Sequence, residues 1–278
     1  MDTLIKYYEN IFIIYSDSRT IEWPLVASPL PLLSILVTYL FAVYIYLPNF
    51  MLQRKPYKLK MVLAVYNLFQ VGSCLILIYM FSTSGWTTHY TFGCQETDFL
   101  NDKMAIRMAK SFWWTFILKL IELLETIMFV LRKKFSQVSP LHVYHHATTV
   151  FYAWLGVKYY PGGMASFPIL LNSFVHILMY TYYFFSSLGP EMQKRLEIVK
   201  SKLTTIQIVS NILNFVKFSI IYFQIQLVII LLYAFQLLSA NCNISNLTIC
   251  LFILNLIVNL VLFLKFYRKN YTKETKCG

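Results

Sequence analysis

Along the chain, long stretches that are almost free of polar residues alternate with short connections dense in Lys and Arg. A helix needs about 20 mostly apolar residues to cross the hydrocarbon of a bilayer. Runs suited to that task cover residues 23–47, 61–81, 111–131, 141–157, 167–188, 206–238 and 247–266. The pattern predicts an all-α integral membrane protein with seven transmembrane helices, forming one membrane domain over residues 1–278. The sixth run is longer than one perpendicular helix requires, so it tilts or ends along the interface. Pro48, Pro56, Pro161-Gly162-Gly163 and Gly189-Pro190 fall at the expected helix ends or in loops. No small-residue cleavage site follows the first run, which is expected to be a retained span and not a signal peptide.

Composition agrees with this reading. Of the residues, 58% are hydrophobic and 13% are charged, against roughly 25% charged in a soluble domain. The formal net charge is +12. In a soluble chain that excess would point to nucleic acid. Here the cations sit between apolar runs, so the lipid bilayer with its anionic headgroups is the expected partner, and no nucleic acid is. Basic residues gather in alternate connections: Arg54, Lys55, Lys58 and Lys60, then Arg132, Lys133 and Lys134, then Lys194, Arg195, Lys200 and Lys202. The C-terminal stretch adds Lys265, Arg268, Lys269, Lys273 and Lys276. The opposite side carries fewer: Lys6, Arg19, Lys103, Arg107, Lys110 and Lys158. The C-terminus is therefore expected in the cytosol and the N-terminus in the lumen or outside. Two sequons, at Asn243 and Asn246, fall in the last non-cytosolic loop as candidate glycosylation sites. Cys94 and Cys242 lie on that same oxidising side and are candidates for a disulfide, with two separate thiols as the alternative.

Polar groups inside the spans are the informative residues, because each is costly to bury without a partner. His142-Val143-Tyr144-His145-His146 opens the fourth span, and its three imidazoles share one helical face. Asn172, His176, Tyr180 and Tyr183 form a stripe on the fifth. The third carries Lys119, Glu122, Glu125 and Thr126. At about 100° per residue, Lys119, Glu122 and Thr126 lie close together and Glu125 lies off to one side. A Lys–Glu pair could serve only to neutralise itself inside the bundle. Gln207, Asn211 and Asn214 make a further polar stripe in the sixth span, with Lys217 slightly off it.

Two chemistries use such a set. Histidines spaced three and four apart ligate metal in membrane desaturases and hydroxylases, although four histidines are few for two irons. Alternatively a neutral imidazole accepts an acyl group from a thioester and passes it on, while neighbouring histidines move protons or polarise the carbonyl. No cysteine lies near the cluster in sequence to act as nucleophile. An entrance rimmed by Arg and Lys suits a phosphate-bearing coenzyme A ester with its chain in the bundle. A non-catalytic transporter or receptor is the third class, disfavoured because the polar groups gather beside one membrane face.

At these residues the sequence resembles the very-long-chain fatty acid elongase family, the condensing enzymes of the endoplasmic reticulum. The likeness begins at Arg54-Lys55-Pro56 and covers Lys119 to Thr126, Phe129 to Lys134, and Gln137 to His146. It continues through Trp154 to Lys158, Pro161 to Gly163, Asn172 to Tyr180 and Leu203 to Gln207. The resemblance implies condensation of a long-chain acyl-CoA with malonyl-CoA to 3-ketoacyl-CoA, CO2 and CoA, without metal or redox cofactor. It also implies six helices closed in a ring around a substrate tunnel, with one helix outside, and residence in the endoplasmic reticulum membrane. His145 is expected to accept the acyl group with His176 assisting, while His142 and His146 orient groups and handle protons. Lys119, Glu122, Glu125, Asn172, Tyr180, Tyr183, Lys202, Thr204, Gln207 and Asn211 are expected to contact substrate. Candidate protein partners are the other enzymes of the elongation cycle or a second copy of the chain. Glu125 stands where the family usually has Asp, Ser210 where Gln is common, and Pro140 where an aromatic is. Proline is comfortable at a helix start, since the N–H it lacks would be unbonded there.

Overall fold

Helix boundaries follow the caps and prolines written in the sequence. The computed structural model describes residues 6, 8–189, 215–239 and 245–271, among which there is no strand. Helix α1 (Pro29–Phe41) starts at Ser28, whose hydroxyl accepts from the Leu30 amide, with a proline in its first turn. It runs on through a π-turn, Ala42–Tyr46, into Leu47–Met51. Helix α2 (Lys60–Phe81) likewise ends in a π-turn, Ser82–Trp86. Asp102 caps α3 (Lys103–Leu131), its carboxylate accepting from the Met104 and Ala105 amides. Ser139 caps α4 (Pro140–Tyr159), and Pro140 sits in the first turn as its chemistry favours. Helices α5 (Ser166–Ser187), α6 (Phe215–Ser239) and α7 (Asn246–Tyr271) follow.

Two helix starts lie several residues from the starts of the apolar runs. Residues 23–28 are not helical. Pro24 and Pro29 interrupt the amide ladder and Leu25 holds a φ of 65°, which an α-helix does not admit. The freed carbonyls find other donors: Pro24 accepts from the Trp113 indole and Leu25 from the Trp154 indole. In contrast, α3 begins at Lys103 and not at Ser111, because the Asp102 cap lies beyond the apolar stretch.

The segments Pro29–Met51, Lys60–Trp86, Gly163–Ser187 and Asn246–Phe266 are long and apolar enough to cross a membrane. Helix α3 holds Lys119, Glu122 and Glu125 within its apolar stretch and α4 opens on histidines, so neither is apolar enough alone. The outward faces of α1, α2 and α7 match a lipid environment, and the polar residues of α3 are hidden. Leu30, Val37, Met61, Val65, Leu247 and Leu254 are exposed, whereas Ser111, Thr115, Lys119, Glu122 and Thr126 are buried. This is the inverse of a soluble fold, and the chain is a membrane protein.

The chain forms two compact units, one of Met1–Lys58 and Tyr79–Ile169, the other of Leu59–Ile78 and Leu170–Gly278. In the first, α3 and α4 pair along their lengths. Gly156 permits this approach, since a β-carbon there would lie 3.1 Å from the Phe112 ring. Phe112 in turn meets Phe81 edge-on at 5.5 Å. The segment before α1 wraps the end of α4: the Asp17 amide donates to the Lys158 carbonyl and the Thr20 hydroxyl to that of Val157. Lys158, read from the sequence as a loop charge, is fully buried in the last turn of α4. Its Nζ donates to the carbonyls of Val26 and Ala27, both at 3.0 Å, and faces the rings of Trp154 and Tyr159. In the second unit, Leu227, Ile230 and Ala234 of α6 pack with Ile249, Ile253 and Leu256 of α7.

The loop between α2 and α3 folds onto the 3-10 turn Gly163–Ala165. The Gly163 amide donates to the Tyr90 hydroxyl oxygen and the Met164 amide to the Gln95 carbonyl. Burial pushes the Tyr90 phenol above its ordinary pKa. Gly163 has a φ of 55°, and a β-carbon on it would lie 2.5 Å from the Gln95 carbonyl oxygen. Gly163→Ala should therefore cost about 2 kcal/mol or more, read as a lowered unfolding temperature in detergent. Gly72→Ala is the control: its added carbon meets nothing within 4 Å and should leave that temperature unchanged or raised.

Candidate active site

Within the first unit the polar residues of α3 turn inward together. Lys119 donates from Nζ to both carboxylate oxygens of Glu122, each at 2.9 Å, and both side chains are buried. Glu125 is buried as well, while Leu124 between them in sequence is exposed. The helix thus presents its charges inward and its leucine to lipid. A fixed ion pair is the physical requirement for carrying Lys and Glu at this depth, because neither charge retains its water.

Helix α4 brings the histidines against this face. The Ser139 hydroxyl accepts from the His142 amide and fixes the first turn. His142 Nε2 lies 3.1 Å from Thr126 Oγ1, and the Thr126 hydroxyl lies 2.8 Å from that of Tyr39 on α1. The rings of His142 and His146 are 4.2 Å apart, those of His145 and His146 are 5.8 Å apart, and Phe129 borders His142 at 5.5 Å. His146 is buried, and among the described residues its Nδ1 has no hydrogen-bond partner. His142 and His145 are half-buried. The Glu122 carboxylate acts electrostatically on both His142 and His146, and the Lys119 ammonium on His146. One helix pair therefore assembles Lys119, Glu122, Thr126 and the three histidines.

In the second unit, α5 carries its own polar line. His176 and Tyr180 are buried with their rings 5.4 Å apart, and Tyr183 meets Tyr180 at 6.3 Å. Asn172 sits half-buried one turn before His176. Two residues of α2 extend the line: Tyr66 meets Tyr180 edge-on at 6.0 Å, and its hydroxyl oxygen accepts from Gln70 Nε2 at 2.9 Å. Gln70 is fully buried, and Asn67 nearly so. These residues escaped the reading of the sequence, although the same criterion finds them, since Asn67 and Gln70 are polar positions inside an apolar run. Tyr39 left no such signal, being one of 21 tyrosines.

Lys202, Thr204, Gln207, Asn211, Asn243 and Cys242 lie outside the described residues. Cys94 is disulfide-bonded. Asn246 is the exposed first residue of α7. Among the described residues, no group of three or more His, Cys, Asp or Glu side chains is arranged to hold a metal ion.

Fold and site define an all-helical membrane protein with histidines and a charge pair in its interior. More specifically, the chain belongs to the ELO family, whose model (GNS1/SUR4 family) matches residues 24–277. A very long chain fatty acid elongase of Aedes aegypti is 40% identical over 99% of this chain and 73% of its own length. Very long chain fatty acid elongase 1 of Mus musculus is 39% identical over 81% of this chain and 80% of its own. Very long chain fatty acid elongase 7 of Drosophila melanogaster is 36% identical over 99% and 79%.

The ion pair makes a measurable demand on stability. Lys119→Met takes the ammonium away from the buried Glu122 carboxylate and should cost about 3–5 kcal/mol, whereas Lys119→Met with Glu122→Leu should recover most of it. Thermal unfolding of the three proteins in one detergent measures the difference.

Proposed function

We propose that this protein elongates fatty acids by condensing a long-chain acyl-CoA with malonyl-CoA, through an acyl group carried on His145. The observation that carries the reading is the close histidine cluster of α4, set against the Lys119–Glu122 pair inside a membrane protein of the elongase family. A neutral His145 nitrogen attacks the thioester carbonyl, the C–S bond breaks, and coenzyme A leaves with the proton that the imidazole gives up. Malonyl-CoA then loses CO2, and its C2 carbanion attacks the acyl carbon. The C–N bond breaks, the imidazole takes up one proton, and 3-ketoacyl-CoA leaves.

In this reading His176 supports the acyl carbonyl from α5, and His142 and His146 handle protons. Lys119, Glu122 and Glu125 hold the local charge, while Asn172, Tyr180, Tyr183, Lys202, Thr204, Gln207 and Asn211 line the substrate path. The step needs no metal or redox cofactor, because decarboxylation supplies the carbanion. The architecture that accommodates it is a single membrane domain of seven spans, six of them around a tunnel for the acyl chain. It resides in the endoplasmic reticulum membrane with its N-terminus lumenal and its C-terminus cytosolic. A Cys94–Cys242 bridge and glycans on Asn243 or Asn246 belong to the lumenal side. The other enzymes of the elongation cycle, or a second copy of the chain, are its partners. The apolar lipid-facing surfaces and the basic connections support this placement.

Purified protein given a long-chain acyl-CoA and labelled malonyl-CoA should release CO2 and form a ketoacyl-CoA two carbons longer. His145→Ala should abolish that product. After exposure to acyl-CoA alone, peptide mass spectrometry should find the acyl mass on His145. Its appearance on Cys74, or on no residue while turnover continues, overturns the covalent step. A double bond formed with oxygen and iron would instead make the protein a desaturase.

A further inference from the structure

The three histidines of α4 are not equivalent, and the difference originates outside the helix that carries them. His142 Nε2 is 3.1 Å from Thr126 Oγ1. That oxygen is also 2.8 Å from the Tyr39 hydroxyl. Tyr39 and Thr126 are both buried, so bulk water does not stand in for either partner. Three groups on three helices thus form one short line across the first unit.

Donor strength sets the direction of this line. A phenol, with a reference pKa of about 10, is a far better donor than an aliphatic alcohol and a poorer acceptor. Tyr39 therefore donates to Thr126. Threonine has a single hydroxyl proton, and with its oxygen already accepting, that proton goes to His142 Nε2. A nitrogen that accepts carries no proton, and a neutral imidazole has one N–H, which must then be on Nδ1.

We propose that Tyr39 and Thr126 are positioning residues that lock His142 as the Nδ1–H tautomer with Nε2 held as an acceptor. This rests on the condensation reading and assigns roles within it. With Nε2 occupied, His142 is withdrawn as the acyl acceptor and becomes the fixed proton holder beside His146, whose ring is 4.2 Å away. Among the described residues, the charged and titratable groups facing the pair are Glu122 and Lys119 from α3, Tyr39 from α1, and His145 on the same helix. None of them duplicates the hydroxyl contact to Nε2.

The full-length chain in detergent provides the test, with Thr126→Val, Thr126→Ser, Tyr39→Phe and His142→Gln. Ring 15N labelling reports the tautomer directly, the His142 signal being the one lost in His142→Gln. In the unmodified protein Nδ1 should be protonated and Nε2 bare. Thr126→Val should move His142 to a mixture of tautomers, and Thr126→Ser should keep the original. In the condensation assay, Thr126→Val should lower kcat about tenfold with KM little changed, and Tyr39→Phe about threefold, the range expected for one hydrogen bond. Thr126→Ser should retain most of the rate. A purely structural tie between α1 and α3 would lower the unfolding temperature and leave the tautomer in place. A protonated Nε2 in the unmodified protein overturns the proposal. So does full kcat in Thr126→Val while His142→Gln is inactive, and in that case the condensation reading stands. Full activity in both His142→Gln and His145→Ala defeats the condensation site itself, and the relay's role with it.

Discussion

A lysine and a glutamate buried three residues apart on one helix of a membrane protein set the terms for the rest of this molecule. Both side chains are buried, and Lys119 Nζ reaches both carboxylate oxygens of Glu122 at 2.9 Å. Bilayer hydrocarbon offers no hydrogen bonds, so every polar group in a span must look inward and find its partner there. Once α3 turns Lys119, Glu122 and Thr126 to the interior, α4 has a polar surface to pack against. The histidines of α4 then have neighbours that water would otherwise have to supply. The outward faces keep leucine, valine and phenylalanine, as the exposed Leu124, Val37 and Phe41 illustrate.

The same rule explains the far end of α4. Lys158 is fully buried and, among the described residues, has no carboxylate within ion-pair range. Its ammonium is satisfied by the carbonyls of Val26 and Ala27 and by the faces of Trp154 and Tyr159. Those carbonyls are available because Pro24, Leu25 and Pro29 keep the preceding segment out of a helix. The non-helical segment before α1 thereby becomes the acceptor set for a buried cation on α4. The indoles of Trp113 and Trp154 use the neighbouring carbonyls in the same way.

Much of the candidate site was legible because the bilayer makes polar residues conspicuous. His142, His145 and His146 stood out by spacing, as did Lys119, Glu122 and Thr126 by helical angle, and the structure joins these two groups on adjacent helices. Asn67 and Gln70 were equally conspicuous in principle, two polar positions three residues apart in one apolar run. Tyr39 was not: tyrosine is at home in apolar helices, and only the 2.8 Å contact to Thr126 separates it from the many that merely fill space. Lys158 misled for a related reason, since a lysine at the end of a span normally reaches for the interface.

Apolar run length was enough to determine an all-helical membrane chain and where most of its helices begin. That signal is local, read within one span. Which imidazole nitrogen meets which hydroxyl, and which carbonyls receive Lys158, depend on residues far apart in sequence being held within a hydrogen bond's length. No local pattern encodes such distances. They arise only when separate helices, each hiding its own polar face from lipid, are forced to satisfy one another.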